Sequence, residues 1–285
     1  MSSAIIILNY NDSTHTAELT SKIRNYNCFH KIILVDNCSP DGSYEKLLPL
    51  SDAKIDVIKA PANKGYACGN NYGIRHAIRN YRPDSVFIAN PDTFIKEKDA
   101  ERILSSMSSH PQYGILTALV NQGYNVWNLP GFWGIIESLF LIWFNLHKRS
   151  IKKKLLSSSN EIETVGVVEG SFLCIRSAAY EAAGGLDERT FLYGEEIMLS
   201  RRMKSAGFLI GILPDARYDH FHSVSIKKEY HSSKAKAFHH FRDSFRLYNR
   251  EYLHTNAIQN FIFEAAYGLA YLERIVYDTL RRFTH

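Results

Sequence analysis

The sequence predicts an α/β fold in which a mostly parallel sheet is flanked by helices, with an amphipathic insertion and a helical C-terminal region. Two observations lead to this prediction. In the first 120 residues, short apolar runs alternate with longer segments of mixed polarity, and each run ends in a polar cluster. The length of 285 residues, with 45% hydrophobic and 22% charged residues, fits one α/β domain with appendages and excludes disordered and collagenous chains.

Four apolar runs rich in β-branched residues predict strands at 4–8, 31–36, 55–58 and 85–89. They do not alternate with polar residues, which is typical of strands buried on both faces. The intervening segments 14–25, 43–50, 67–80 and 97–109 are long enough for helices. Strands that alternate with helices indicate a parallel sheet with helices on both faces.

Polar residues follow each of the four strands, in the clusters 9–11, 36–43, 63–71 and 90–93. In parallel sheets, ligands bind beyond the carboxyl ends of the strands. One such cluster predicts only a turn, but four at one sheet edge predict a binding site. The chain lacks the glycine fingerprints of dinucleotide-binding and P-loop folds and the G-x-S-x-G of α/β-hydrolases.

The segment 124–156 has a different character. After Pro130-Gly131 comes a stretch rich in Trp, Phe, Ile and Leu, and residues 146–160 then hold five cations and no acid. A wide apolar face followed by cations predicts a helix lying in a membrane interface. Its proposed contacts are Trp133, Phe140, Trp143, Phe144, Lys148, Arg149, Lys152, Lys153 and Lys154. The alternative is a helix packed on the protein's own core.

The remaining sequence predicts strands over 164–175, a helix that begins at Glu195-Glu196, and two helices from about 231 to 283. Residues 226–250 hold seven cations and two acids, a second basic segment. Such segments suggest a local anionic partner or a solvated surface. The four cysteines show no paired spacing, and the first apolar run is too short for a secretory signal peptide.

In this order, the motifs resemble those of inverting family-two glycosyltransferases with the GT-A fold, in particular the bacterial rhamnosyltransferase-like branch that builds O-antigens and related polysaccharides. The blocks are NYN at 9–11, VDN at 35–37, DGS at 41–43, N-x-G-Y-A-x-G-N-N at 63–71, NPD-T at 90–93, GSF at 170–172, GGLDE at 184–188, F-x-Y-x-EE at 191–196 and His220. Leu186, Glu196 and Met198 depart from the family's usual Phe, Asp and Asp. Each block is weak alone, whereas the ordered set is specific.

The resemblance implies a Rossmann-like glycosyltransferase domain over 1–225. This domain would comprise a nucleotide-sugar half at 1–120, the insertion at 124–156 and an acceptor and catalytic half at 160–225. Residues 226–285 would then form a C-terminal helical extension.

The resemblance also implies roles for individual residues. Donor contacts would come from Asn9, Asn11, Asp36, Asn37, Asn63, Gly65, Gly69, Asn71, Asn90 and Asp92, with Asp36 on the pyrimidine base. Asp92 and His220 would hold Mg²⁺ or Mn²⁺. Glu196 would be the general base, with Glu195 as the second candidate. Acceptor contacts would come from Gly170, Ser171 and Arg202.

The implied reaction moves rhamnose from dTDP-rhamnose, or a sugar from a UDP-sugar, to a lipid-linked glycan. The enzyme would work peripherally at the cytoplasmic face of a bacterial inner membrane. Three other interpretations remain: a nucleotidyltransferase, a catalytically inactive scaffold, and a non-catalytic protein that binds a membrane or nucleic acid. The chain shows no familiar nucleic-acid-binding motif, so we expect no nucleic-acid partner.

Overall fold

The computed structural model describes residues 1–141, 158–221 and 234–283, together with Ser150, Ile151, Lys153 and Leu155. Strands and helices alternate in its first part, close to the predicted positions. They are β1 (Ser3–Asn9), α1 (Ser13–Ile23), β2 (Lys31–Asp36), α2 (Ser43–Leu47), β3 (Ile55–Lys59), α3 (Tyr66–Tyr81), β4 (Ser85–Ala89), β5 (Thr93–Ile95) and α4 (Glu97–Ser109).

The second part of the chain adds further strands to the same sheet and ends in two helices. Its elements are β6 (Tyr113–Val120), β7 (Val126–Trp127), α5 (Phe132–Leu139), β8 (Glu163–Val165), β9 (Val167–Val168), β10 (Phe172–Arg176), α6 (Ser177–Ala183), α7 (Glu195–Ser205), β11 (Leu209–His220), α8 (Lys234–Glu251) and α9 (Ala257–Phe283).

The main sheet has the strand order β3-β2-β1-β4-β10-β6-β11-β5, with β8 paired to β11. Strands β1 to β4 are mutually parallel, as are β6 and β11, whereas β10 runs antiparallel between β4 and β6. The α/β class and the mostly parallel sheet are therefore confirmed. The carboxyl ends of β3, β2, β1 and β4 lie side by side, which brings all four predicted polar clusters to one edge.

Both faces of the sheet are covered by helices, so β1 is buried along its whole length. Helices α1, α2 and α4 pack on one face, and α3, α6 and α7 pack on the other. This arrangement explains why apolar and polar residues do not alternate in the sequences of the central strands.

A third apolar cluster joins α5 to the C-terminal helices. Phe132, Ile135 and Leu139 of α5 are buried against Phe263 and Ala270 of α9 and against aromatic residues of α8. In the part of the chain that the structure describes, no helix combines the length and the apolarity needed to cross a bilayer.

Candidate active site

The first polar cluster fixes Asp36 at the carboxyl end of β2. The buried Asn9 amide donates a hydrogen bond to Asp36 Oδ1 at 2.9 Å, and the Ser39 N–H donates to Asp36 Oδ2 at 2.9 Å. The Thr16 hydroxyl in turn donates to Asn9 Oδ1 at 2.9 Å. Asn9 thus uses its side chain to hold Asp36, while Asn11 is exposed in a turn with a φ of 54°.

The second cluster joins the end of β2 to the start of α3. The Asn37 amide and the Gly65 N–H both donate to Asn63 Oδ1, each at 3.0 Å. Gly65 has a φ of +97°, and a Cβ there would lie 2.1 Å from the Phe191 carbonyl oxygen. Only glycine fits this left-handed, close-packed position, so the loop before α7 can rest directly on the α3 N-terminus.

Gly69 and Asn71 are packing and bridging residues of α3. A Cβ on Gly69 would lie 2.5 Å from the Leu8 side chain, so this glycine lets α3 approach the sheet closely. Asn71 donates to the Leu186 carbonyl and to Glu188, and accepts from the Leu186 N–H and the Tyr180 hydroxyl. Its polar atoms therefore tie α3 to the 184–188 loop.

The pairing of β5 with β11 brings His220 beside Asp92. The register sets His220 opposite Thr93, and His220 Nε2 lies 3.5 Å from Asp92 Oδ1. His220 Nδ1 lies 3.1 Å from Glu169 Oε1. Burial lowers the His220 pKa, but the hydrogen bonds and charges of Asp92 and Glu169 outweigh it and raise that pKa to about 9.

This arrangement suits a divalent cation that is only partly held by protein. Among the described residues, no group of three or more His, Cys, Asp or Glu side chains is arranged around a common centre for a metal. Asp92 and His220 nevertheless face each other, and Glu169 fixes the far side of the imidazole, as carboxylates do behind metal-bound histidines. Mg²⁺ sites commonly take one or two protein ligands and complete the shell with substrate phosphates and water.

Two adjacent carboxylates stand at the start of α7. The turn before them is left-handed at Tyr193 and Gly194, with φ of 70° and 81°. Glu196 is half-buried, and its Oε1 accepts the Gly170 N–H at 3.2 Å. Glu195 is 3% exposed, and its buried Oε2 has no hydrogen-bond partner among the described residues.

Burial raises the pKa of both carboxyls. For Glu195, the charge of Glu196 raises it further. For Glu196, the charge of Glu169 adds to the rise in pKa, and the backbone N–H donors at Glu196 and Gly170 oppose it. Because neighbouring carboxylates repel each other, the pair favours a state in which one carboxyl is protonated and the other is charged.

The loop 169–171 connects the two acidic clusters. Glu169 reaches His220, the Gly170 N–H holds Glu196, and the Gly170 carbonyl accepts the Tyr66 hydroxyl at 2.6 Å. The Asn90 N–H donates to the Ser171 carbonyl at 2.8 Å, so the same loop is fastened to the end of β4. The Asp92 and Glu196 clusters are therefore linked through one short loop.

Two of the three predicted acceptor residues have partners inside the fold. The Ser171 hydroxyl lies 2.9 Å from the Tyr218 hydroxyl and is buried. Arg202 pairs with the buried Asp187 at 3.0 Å and donates to the Gly185 carbonyl. The third, Gly170, is in direct contact with Glu196.

Sequence reasoning did not select Glu169 or Tyr66 as site residues. Glu169 is a half-exposed carboxylate between the two clusters. Burial, with the charges of Glu196 and Glu195, raises the Tyr66 pKa, so this hydroxyl stays protonated as a donor. The available signals were the position of Glu169 directly before Gly170 and of Tyr66 within the 63–71 block.

The predicted membrane residues fall into three groups. Trp133 and Lys153 are exposed, and Phe140 is half-buried against the α5, α8 and α9 cluster. The face of α5 that carries Phe132, Ile135 and Leu139 is covered by protein. The others, Trp143, Phe144, Lys148, Arg149, Lys152 and Lys154, lie outside the described residues.

Comparison with known proteins identifies relatives over most of the chain. The profile of Glycosyl transferase family 2 matches residues 4–181. Rhamnosyltransferase WbbL of Escherichia coli K12 is 24% identical over 266 residues, which cover 88% of this chain and 94% of WbbL. N-acetylglucosaminyl-diphospho-decaprenol L-rhamnosyltransferase of Mycobacterium tuberculosis is 27% identical over 213 residues, covering 70% of this chain and 68% of that protein.

Low-salt glycan biosynthesis hexosyltransferase Agl10 of Haloferax volcanii is 29% identical over 211 residues. That match covers 73% of this chain and 63% of Agl10, so the chain spans less than two thirds of this relative. Among solved structures, mannosyltransferase PcManGT from Pyrobaculum calidifontis with GDP-Man and Mn²⁺ superimposes with a TM-score of 0.59 at 14% identity. The superposition covers 95% of this chain and 73% of PcManGT, and it supports the fold.

Proposed function

Because the chain belongs to glycosyl transferase family 2, we propose that it is an inverting glycosyltransferase of surface-polysaccharide biosynthesis. The observation that carries this proposal is the loop 169–171, which links the Asp92–His220 cluster to the Glu195–Glu196 cluster. The first cluster suits a nucleoside diphosphate, and the second suits removal of a proton from a hydroxyl group. A sugar donor and a sugar acceptor would meet between them.

The donor would bind at the carboxyl ends of β1, β2 and β4. Asp36, held by Asn9 and the Ser39 N–H, would accept the N–H of a pyrimidine base. Asn37, Asn63 and Asn90 would contact the nucleoside and diphosphate. We assign positioning roles to Asn9 and Asn71, because their side chains bond within the protein.

Asp92 and His220 would hold Mg²⁺ or Mn²⁺ together with the donor phosphates. The cation would neutralise the diphosphate as it leaves. Glu169 would keep the His220 ring turned toward Asp92. The complex of PcManGT with GDP-Man and Mn²⁺ supports a divalent metal in a related fold.

Glu196 would act as the general base. As the acceptor oxygen forms its bond to the anomeric carbon, its proton passes to Glu196, and the electrons of the breaking C–O bond leave with the diphosphate. Glu196 suits this role because it is half-buried and held by the Gly170 N–H, whereas Glu195 is enclosed. Glu195 would carry the shared proton and leave the single negative charge on Glu196.

The names of the relatives guide the choice of substrates. Two of them are rhamnosyltransferases, and one acts on a decaprenol-linked sugar. We therefore propose dTDP-rhamnose as donor, with UDP-sugars as the second choice, and a lipid-linked glycan as acceptor. The protein would work peripherally at the cytoplasmic face of a bacterial inner membrane.

The decisive experiment measures nucleotide release and product formation with dTDP-rhamnose and UDP-sugars, with and without Mn²⁺. Glu196→Gln should lower kcat by at least about 10²-fold with donor affinity retained. Glu195→Gln is the matched control and should keep more activity. The assignment of the base is reversed if only Glu195→Gln is inactive, and a product that retains the donor's anomeric configuration rejects the mechanism.

A further inference from the structure

Tyr66, the first residue of α3, is bonded to both of the loops that lead to the acidic residues of the site. Its backbone N–H donates to the Phe191 carbonyl at 3.0 Å, in the loop before α7. Its side-chain hydroxyl donates to the Gly170 carbonyl at 2.6 Å. The Asn70 amide donates to the Tyr66 carbonyl at 3.1 Å. The hydroxyl proton of Tyr66 is therefore used within the protein, at a point between the two loops.

The start of α3 is closely packed, so Tyr66 has a well-defined position. A Cβ on Gly65 would lie 2.1 Å from the Phe191 carbonyl oxygen, and the Gly65 N–H donates to Asn63 Oδ1 at 3.0 Å. The half-buried Tyr66 ring packs on the apolar cluster beneath α3. Because Tyr66 belongs to a packed helix and Gly170 to a short loop, the hydroxyl is the fixed point to which that loop is bonded.

Gly170 connects this fixed point to the proposed base. Its N–H donates to Glu196 Oε1 at 3.2 Å, at the long end of the usual range for such bonds, so a small outward movement of Gly170 would break it. Glycine has more backbone freedom than any other residue, so contacts outside Gly170 must hold its peptide groups in this orientation. The Tyr66 hydroxyl holds the carbonyl of Gly170, and the Asn90 N–H holds the carbonyl of Ser171.

The surroundings of the Tyr66 hydroxyl keep it a hydrogen-bond donor. Burial raises its pKa, and the charges of Glu196, Glu195 and Glu169 raise that pKa further. A phenol that keeps its proton does not accept the proton of an acceptor sugar. A role in holding the loop 169–171 is therefore favoured over a role as a second base.

We propose that Tyr66 is a positioning residue for Glu196: its hydroxyl holds the Gly170 carbonyl, and the Gly170 N–H in turn holds the carboxyl group of the base. The proposal rests on the proposed function, since it takes Glu196 as the base. Tyr66 directly follows the loop 63–65 on the donor side, so this contact connects the donor side of the site to the residue that acts on the acceptor.

Tyr66→Phe tests the proposal because it keeps the ring and removes only the hydroxyl. We expect kcat to fall by about 3- to 10-fold, the loss of one neutral hydrogen bond, with the donor KM within about twofold of wild type. The Gly170 N–H lowers the Glu196 pKa, so its loosening should move the acidic limb of the pH–rate profile to higher pH. Tyr26→Phe is the matched control, since the Tyr26 hydroxyl donates to the Ile95 carbonyl at 3.2 Å, and it should keep the wild-type kcat and pH profile.

A double-mutant cycle with Glu196→Gln separates positioning of the base from a general effect on the fold. If Tyr66 acts through Glu196, adding Tyr66→Phe to Glu196→Gln should change the residual rate by less than about twofold. An undiminished loss in that background overturns the proposal, and so does a Tyr66→Phe enzyme with the wild-type kcat or an unmoved acidic limb. An active Glu196→Gln enzyme would instead overturn the base assignment in the proposed function, and this proposal with it.

Discussion

Replacing Gly170 by alanine tests whether its close contact with Glu196 positions the base. The added Cβ would lie 2.9 Å from Glu196 Oε1, 3.2 Å from Cγ and 3.4 Å from Cδ. Ordinary contacts between carbon atoms are about 3.5–4.0 Å, so the carboxyl group must retreat by about 0.5–1 Å. Because a misplacement of about 1 Å can cost about 10²-fold in rate, we expect kcat to fall by about 10- to 100-fold.

The KM for the donor should change little, because the three heavy atoms nearest to the added Cβ all belong to Glu196. Gly131→Ala is the control: this glycine has an ordinary φ of −86° and open space around its Cβ position. Steady-state transfer assays on both variants, with thermal melts, separate positioning from unfolding. A Gly170→Ala enzyme with kcat within about twofold of wild type would refute the reasoning.

Three further outcomes follow from the same contacts. Glu169→Gln removes a charge that raises the Glu196 pKa, so the acidic limb of the pH–rate profile should move to lower pH; an unmoved limb contradicts this coupling. Asp187→Asn breaks a buried pair with Arg202 and should cost about 2–3 kcal/mol in urea unfolding at pH 7. The Asp187 pKa is lowered in the fold, so the charged carboxylate adds to the free energy of unfolding above about pH 4. That contribution is lost as the pH falls through the folded pKa, so wild type and the Asp187→Asn variant should have similar unfolding free energies in acid. Asp92→Asn should abolish transfer and Mn²⁺ binding, the latter measured by titration calorimetry, with an unchanged melting temperature.

The sheet could be predicted from the sequence because a strand that is buried on both faces is a continuous run of apolar residues. Every residue of β1 is buried, and the run Ala4–Leu8 shows no alternation. The polar clusters at the strand ends were equally visible. The partner of each polar side chain was not visible, because it depends on tertiary contacts such as that between Asn71 and Leu186, 115 residues apart.

Glu169 is a second residue whose contacts could not be predicted from the sequence. Its contact with His220 spans 51 residues and exists because β9, which ends directly before Glu169, lies against β11. No periodicity or local spacing encodes that tertiary contact. A carboxylate before a Gly-Ser pair could equally have been a solvated turn residue.

The insertion shows why an amphipathic pattern does not identify what covers it. The apolar spacing of Phe132, Ile135 and Leu139 suits a protein core and a lipid surface alike. In the structure these three side chains pack on α9.

The loop 169–171 gives a physical reason for the two clusters to act together. Its three residues contact His220, Glu196 and the end of β4 through separate atoms, so a shift of the loop changes the surroundings of His220 and of Glu196 at once. The negative charge of Glu169 acts on both, since it raises the pKa of His220 and of Glu196. Binding of a cation near His220 would offset part of that charge and favour ionisation of Glu196. With Asp92 and His220 as the proposed cation ligands, binding of the donor with its cation would therefore favour the charged form of Glu196, the proposed base.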